Sequence, residues 1–202
     1  MPADFSDYRL SPGRHGIPPE RVRANQRWRL LGACADVLAA DGYSALTVNG
    51  VIVTAAVSKA TFYEQFAGLP ECVLATYEMA AANALAVTKE ACDSNPDPAR
   101  ALPDVVASLL AFLASEPALA HVLTDLALED VRGVHSRRAQ LSRRLALMLA
   151  AAGRDRSDPG RHWRLSLHRV RATNGWLAIR LQTGTAGALA TRAPELTQLL
   201  TA

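Results

Sequence analysis

The residues best suited to recognition chemistry lie together in the run Ser58-Lys59-Ala60-Thr61-Phe62-Tyr63-Glu64-Gln65-Phe66. Phe62 and Phe66 are spaced to share one face of a helix and pack inward. Lys59, Thr61, Tyr63 and Gln65 are then left on or near the outside, offering an ammonium, a hydroxyl, a phenol and an amide. A short helix with that outer face suits the major groove of DNA, where base edges present acceptors, donors and thymine methyls. The competing reading for Tyr63 is a half-buried core aromatic. Ser58 is placed to cap this helix, since its hydroxyl can accept from a free backbone N–H of the first turn. Before it, Val48, Val51 and Ile52 mark the inner face of another short helix, and a tight turn joins the two.

Other chemistries are not written into the chain. There is no glycine-rich phosphate loop, HExxH, GxSxG or CxxC, and no Glu-x-x-His pair of the kind that builds di-iron bundles. The three cysteines, Cys34, Cys72 and Cys92, lie far apart within helical patterns. That spacing argues against a disulfide framework and a thiolate metal site. His121, His135, His162 and His168 are scattered. His121, beside Val122 and Leu123, is the one best placed to border a cavity. The expectation is therefore a protein without a cofactor, a metal or an enzymatic centre. No run of about 18 uncharged apolar residues suggests a membrane span. The opening MPADFSDYRL lacks a signal pattern, so the cytoplasm is the expected location.

Alanine is abundant and half of the 202 residues are apolar, which favours helices around a real core. The net charge of +3 hides an acidic stretch over 67–131 and a basic one over 132–171. Either these stretches face each other in one fold, or the basic one forms a nucleic-acid patch.

The elements needed to carry the recognition run can be placed in order. Proline and glycine through residue 18 predict a loose arm. A first helix runs from about Pro19 to Ala40, buries Leu30, Leu31, Cys34, Val37 and Leu38, and exits at Gly42. Thr47 caps the helix that follows. After the Val48–Phe66 pair, a helix over about Pro70–Cys92 ends at the turn-rich 93–98. Pro103 is expected to begin the next helix, since inside one it would remove a hydrogen bond. A short helix follows over Pro117–Leu123. Leu128, Val131, Val134, Leu141, Leu145 and Met148 then mark a long one. After a polar connector over 153–160, a helix over about Arg161–Thr183 carries two apolar faces. One is a seam of Trp163, Leu167, Val170, Asn174, Leu177 and Leu181, where a polar Asn can fix pairing register. The other holds Leu165, Ala172, Trp176 and Ile179. One face would serve the chain's own core and the other, here assigned to the seam, a second subunit. A final short helix falls over Pro194–Thr201. The fold class is all-α.

Within this frame, GYSALTV…VSKATFYEQF and the preceding RANQRWRLLGACADVLAADGY resemble the N-terminal helix-turn-helix of the tetracycline-repressor (TetR) family of transcriptional regulators. The resemblance covers roughly residues 20–80. It implies an arm (1–18), a three-helix DNA-binding head (19–67) and a larger helical domain (68–202) for ligand binding and dimerisation. On matching positions Lys59, Ala60 and Thr61 approach base edges, with Ser58 opening the helix. Tyr63 and Gln65 contact bases or backbone, Thr47 reaches a phosphate, and Arg27, within the cluster Arg21, Arg23, Arg27 and Arg29, neutralises phosphates. Tyr77, Leu109, Phe112, His121 and Trp176 are the expected lining of an effector site. The implied function is a homodimeric, ligand-responsive regulator, a repressor on a near-palindromic operator. The alternative is a small helical enzyme or ligand-sequestering protein with a decayed head. Three departures bear on that alternative: Ala56 at the usual turn glycine, Gly50 inside the first helix of the pair, and Leu69 in place of a phosphate-gripping lysine.

Overall fold

A computed structural model describes residues 18–95, 98–152, 159–182 and 189–201. All regular elements among them are helical: α1 (Pro19–Asp41), α2 (Val48–Ala55), α3 (Lys59–Gln65), α4 (Leu69–Asp93), α5 (Pro98–Ser115), α6 (Pro117–Thr124), α7 (Val134–Ala152), α8 (Pro159–Gln182) and α9 (Ala193–Thr201). Short 3-10 turns occupy Tyr43–Ala45, Leu126–Asp130 and Ala190–Arg192. The expected arm, apart from Pro18, and most of the connector over 153–160 lie outside the described residues.

The first helix forms as its sequence requires. Proline stands at its first position, where a missing N–H costs nothing, and the chain leaves through Gly42 at φ 75°. Leu30, Leu31, Cys34 and Leu38 are buried along one stripe, with Val37 packed at its edge. α4 starts beside the α1–α3 head and continues through the rest of the fold, packing on α1, α5, α6 and α7. One core therefore runs without a break from Leu30, Val51, Phe62 and Phe66, through Val73 and Tyr77, to Leu110, Leu113 and Leu128. Cys34 and Cys72 face each other where α1 crosses α4. A hydrogen bond to Cys34, reinforced by burial, pushes the Cys72 thiol up, which suits packing rather than reactivity.

The acidic and basic stretches do face one another. Arg137 Nε lies 2.5 Å from Glu78 Oε1, joining α7 to α4, and Arg138 Nη1 lies 3.8 Å from Glu129 Oε1.

Three expectations are corrected. Pro103 does not begin α5 but lies inside it, since the helix starts at Pro98. It forfeits one backbone bond only a turn and a half from the helix start, where few intrahelical bonds exist yet. Leu128 and Val131 are buried but stand before α7. The chain turns at Gly133, whose φ of 93° interrupts the helix, and a Cβ there would come within 3.0 Å of Leu74 on α4. On α8 two residues of the expected seam turn inward. Val170 and Leu177, members of the expected intersubunit seam, are buried within the chain's own fold, against neighbours that include α7 and α9. Leu167 and Asn174 are half-buried. Ala172 is exposed, as is Ile179 at 62%. The side chains of Trp163 and Leu181 lie outside the described residues.

Candidate nucleic-acid interface

Both short helices are held by their caps. Thr47 Oγ1 accepts from the Gly50 N–H at 3.0 Å and opens α2. Ser58 Oγ accepts from the Thr61 N–H at 3.0 Å and opens α3. Such a cap contributes about 1 kcal/mol. The Ser58 and Thr61 hydroxyls also bond each other at 2.9 Å. Between the helices Ala56 takes a left-handed conformation, φ 49° and ψ 51°. It is the only described non-glycine residue with positive φ, and such a conformation costs a residue with a Cβ about 1–2 kcal/mol.

Two arginines of α1 brace the helix pair from behind, one at each C-terminal end. Arg29 Nη2 donates to the Ala56 carbonyl at 3.0 Å. Arg27 Nη1 donates to the Gln65 carbonyl at 3.2 Å, and its guanidinium lies 4.5 Å from the centre of the Phe66 ring. Each cation meets a carbonyl at the C-terminal end of a helix, where the partial charge is negative. Arg27, expected at a phosphate, is thus tied to α3 itself. The sequence pattern did not reveal these clamps. Their one trace is that Arg27 and Arg29 flank Trp28 beside the first buried leucines, Leu30 and Leu31.

Phe62 and Phe66 are buried. Their ring centres are 5.7 Å apart, and Phe62 also meets Tyr63 edge-on at 5.4 Å and 86°. The rest of α3 faces outward. Lys59 and Ala60 are exposed, Thr61 and Gln65 half so, and Tyr63 is 52% exposed, which removes the core reading of that phenol. Leu69 starts α4 half-buried against the core, while Glu71 Oε2 accepts from the Ala67 N–H at 2.7 Å. The outer face of α3 can donate from an ammonium, donate or accept through hydroxyl and amide groups, and present methyls. Those are the functions that read base edges.

The residues expected to line an effector site are divided. Tyr77 is fully buried, and burial pushes its phenol up to about 12. The Arg138 guanidinium sits 5.7 Å from its ring centre and donates through Nη2 to the Asp125 carbonyl at 2.6 Å. His121 Nε2 is 3.5 Å from Asp125 Oδ2. Tyr77 and His121 thus border one polar cluster organised by Arg138, which is not among the residues expected to line an effector site. Phe112 is buried and Leu109 half-buried on α5. Trp176 lies elsewhere, donating from Nε1 to Glu195 Oε1 on α9 at 3.2 Å. Among the described residues no group of His, Cys, Asp and Glu could hold a metal ion, and no single helix is long and apolar enough to cross a membrane.

A small capped helix pair, braced from α1 and continued by a long α4 into a helical body, is the fold of TetR-type transcriptional regulators. The fatty acid degradation regulator FadR from Bacillus halodurans matches with a TM-score of 0.73, over 92% of this chain and 96% of that one, at 15% identity. The transcriptional regulator FadR from Bacillus subtilis, solved in complex with stearoyl-CoA, matches with a TM-score of 0.71, over 86% and 96%, at 13% identity. A TetR-family transcriptional regulator from Streptomyces coelicolor matches with a TM-score of 0.65, over 88% and 94%, at 23% identity. At such identities the likeness is one of fold. No protein-family model and no curated protein matches the sequence.

Proposed function

We propose that this chain is a DNA-binding transcriptional regulator that works in the cytoplasm as a homodimer, and that it represses until a small effector binds. Residues 19–67 form the reading head and residues 68–202 the regulatory body. The carrying observation is the division of α3 into a buried phenylalanine face and an exposed face of Lys59, Ala60, Thr61, Tyr63 and Gln65, on the fold of known regulators. In a dimer two such helices enter successive major grooves, about 34–36 Å apart, on a near-palindromic operator. Thr47 and Ser58 lie at the N-terminal ends of α2 and α3, where backbone N–H groups favour phosphate. The α8 side bearing Ala172 and Ile179 is the subunit contact, since the opposite side is used within the chain.

The body supplies the response. The similarity to a regulator solved with stearoyl-CoA supports an effector site there. The effector lowers operator affinity only as far as it binds the two head spacings unequally. Repeated selection of random duplex DNA on the full chain tests the reading. A two-fold consensus with half-sites about one helical turn apart is expected. Selection at low salt that enriches no sequence overturns it.

A further inference from the structure

One acid stands on the exposed side of α3: Glu64. Phe62, fully buried, fixes the inward direction of that helix. At about 100° per residue, Ala60 and Glu64, two positions to either side, each lie about 160° around from it. They therefore point most directly away from the core. Both are exposed, whereas Thr61 and Gln65 are half-buried. Ala60 is small, so nothing one turn before Glu64 holds an approaching surface at a distance.

Glu64 does not serve the helix that carries it. Its carboxylate has neither an ion pair nor a hydrogen bond among the described residues. It lies in the last turn of a seven-residue helix, the end at which the helix dipole disfavours negative charge.

In the major groove a carboxylate finds few partners. Phosphates repel it, and so do the acceptors N7 and O6 of guanine and O4 of thymine. Donors come only from the amino groups on cytosine N4 and adenine N6, and the adenine amino group adjoins N7, a further acceptor. Cytosine is the base that offers a donor without that opposition.

We propose that Glu64 is a specificity determinant, accepting a hydrogen bond from the N4 amino group of one cytosine in each half of the operator. The assignment rests on the DNA-binding reading above. Cytosine at that position satisfies the acid, and any other base leaves a desolvated carboxylate unpaired, so rejection supplies most of the discrimination.

Selection of random duplex DNA, run in parallel on the full-length wild type, Glu64→Ala and Glu64→Gln, provides the test. The wild-type consensus is expected to hold a cytosine in each half-site whose replacement weakens binding at least about fivefold. Glu64→Ala should lose the preference at that position alone, and should bind unrelated DNA more tightly because a negative charge has left the phosphate surroundings. Glu64→Gln should exchange cytosine for adenine, since glutamine pairs with adenine N6 and N7. Melting temperatures should hold in both variants, as the side chain is exposed and unpaired. Identical consensus sequences for all three proteins, or an alanine variant that binds every sequence more tightly by one common factor, would overturn the assignment and leave the DNA-binding reading standing. A wild type that selects no sequence overturns both.

Discussion

In the head, two hydroxyl caps, two phenylalanines and two arginine clamps account for the position of nearly every functional side chain. In the body, α4, α5, α7 and α8, of 18 to 25 residues against 8 and 7 for α2 and α3, pack through broad apolar faces, and few hydrogen bonds say which face meets which. A short helix cannot stand alone, so its ends must be stabilised locally, and those signals are legible: a threonine three residues before Gly50, a serine three before Thr61. A long amphipathic helix announces a stripe but not its partner. On α8 the stripe of Val170 and Leu177 was real, yet it turns into the chain's own fold rather than toward another subunit.

This contrast predicts sharp, separable effects in the head and blunter ones in the body. The largest expected loss is for Phe62→Ala, about 3–5 kcal/mol. Because one core joins head and body, urea titration should show a single transition moved to lower denaturant; two separate transitions would mean that the regions are less coupled than their packing indicates. Next come Lys59→Ala and Tyr63→Ala, each weakening specific DNA binding by about 1–3 kcal/mol if it reads a base. Thermal melts should be unchanged for Lys59→Ala, which separates reading from folding.

Arg27→Met should cost about 1–2 kcal/mol of stability through the lost carbonyl bond and ring contact. A phosphate contact would instead reduce the salt slope of DNA binding by about 1, so salt titration of the variant distinguishes clamp from contact. Ala56→Gly should stabilise by about 1 kcal/mol, because glycine takes a left-handed turn without the Cβ penalty; a loss of stability in calorimetry would mean that the methyl packs usefully.

Tyr77→Phe is expected to have the smallest effect near neutrality, within about 1 kcal/mol, since the buried phenol oxygen has no hydrogen-bond partner among the described residues. Its signature is the alkaline limb. With the folded phenol pushed up to about 12, the folded state binds more protons than the unfolded chain above pH 10. Stability should therefore fall as pH rises from about 10 to 12. In the phenylalanine variant this contribution to the alkaline fall should be absent.

The fold class, α1, the caps and the Phe62/Phe66 anchor were legible because each rests on neighbours within a few residues. What escaped is long-range. Leu128, Val131 and Val134 repeat every three residues, a spacing that fits a continuing helix as well as a 3-10 turn. The deciding fact is the close approach of Leu74 to Gly133, which no local pattern records. Pro103 misled for a related reason: proline forbids little near a helix start, and the start itself lies at Pro98. The Arg27 and Arg29 clamps span 38 and 27 residues of sequence, so no window around either arginine contains its partner.

With 25 residues in one unbroken rod, α4 is about 37 Å long at 1.5 Å per residue. A tilt of about 5° at its inner end would carry the outer end sideways by about 3 Å, close to the rise of a single base pair. Under the proposed function, small rearrangements among α5, α6 and α7 would thereby be amplified, and a modest swing would suffice to throw a pair of reading surfaces out of step with a duplex.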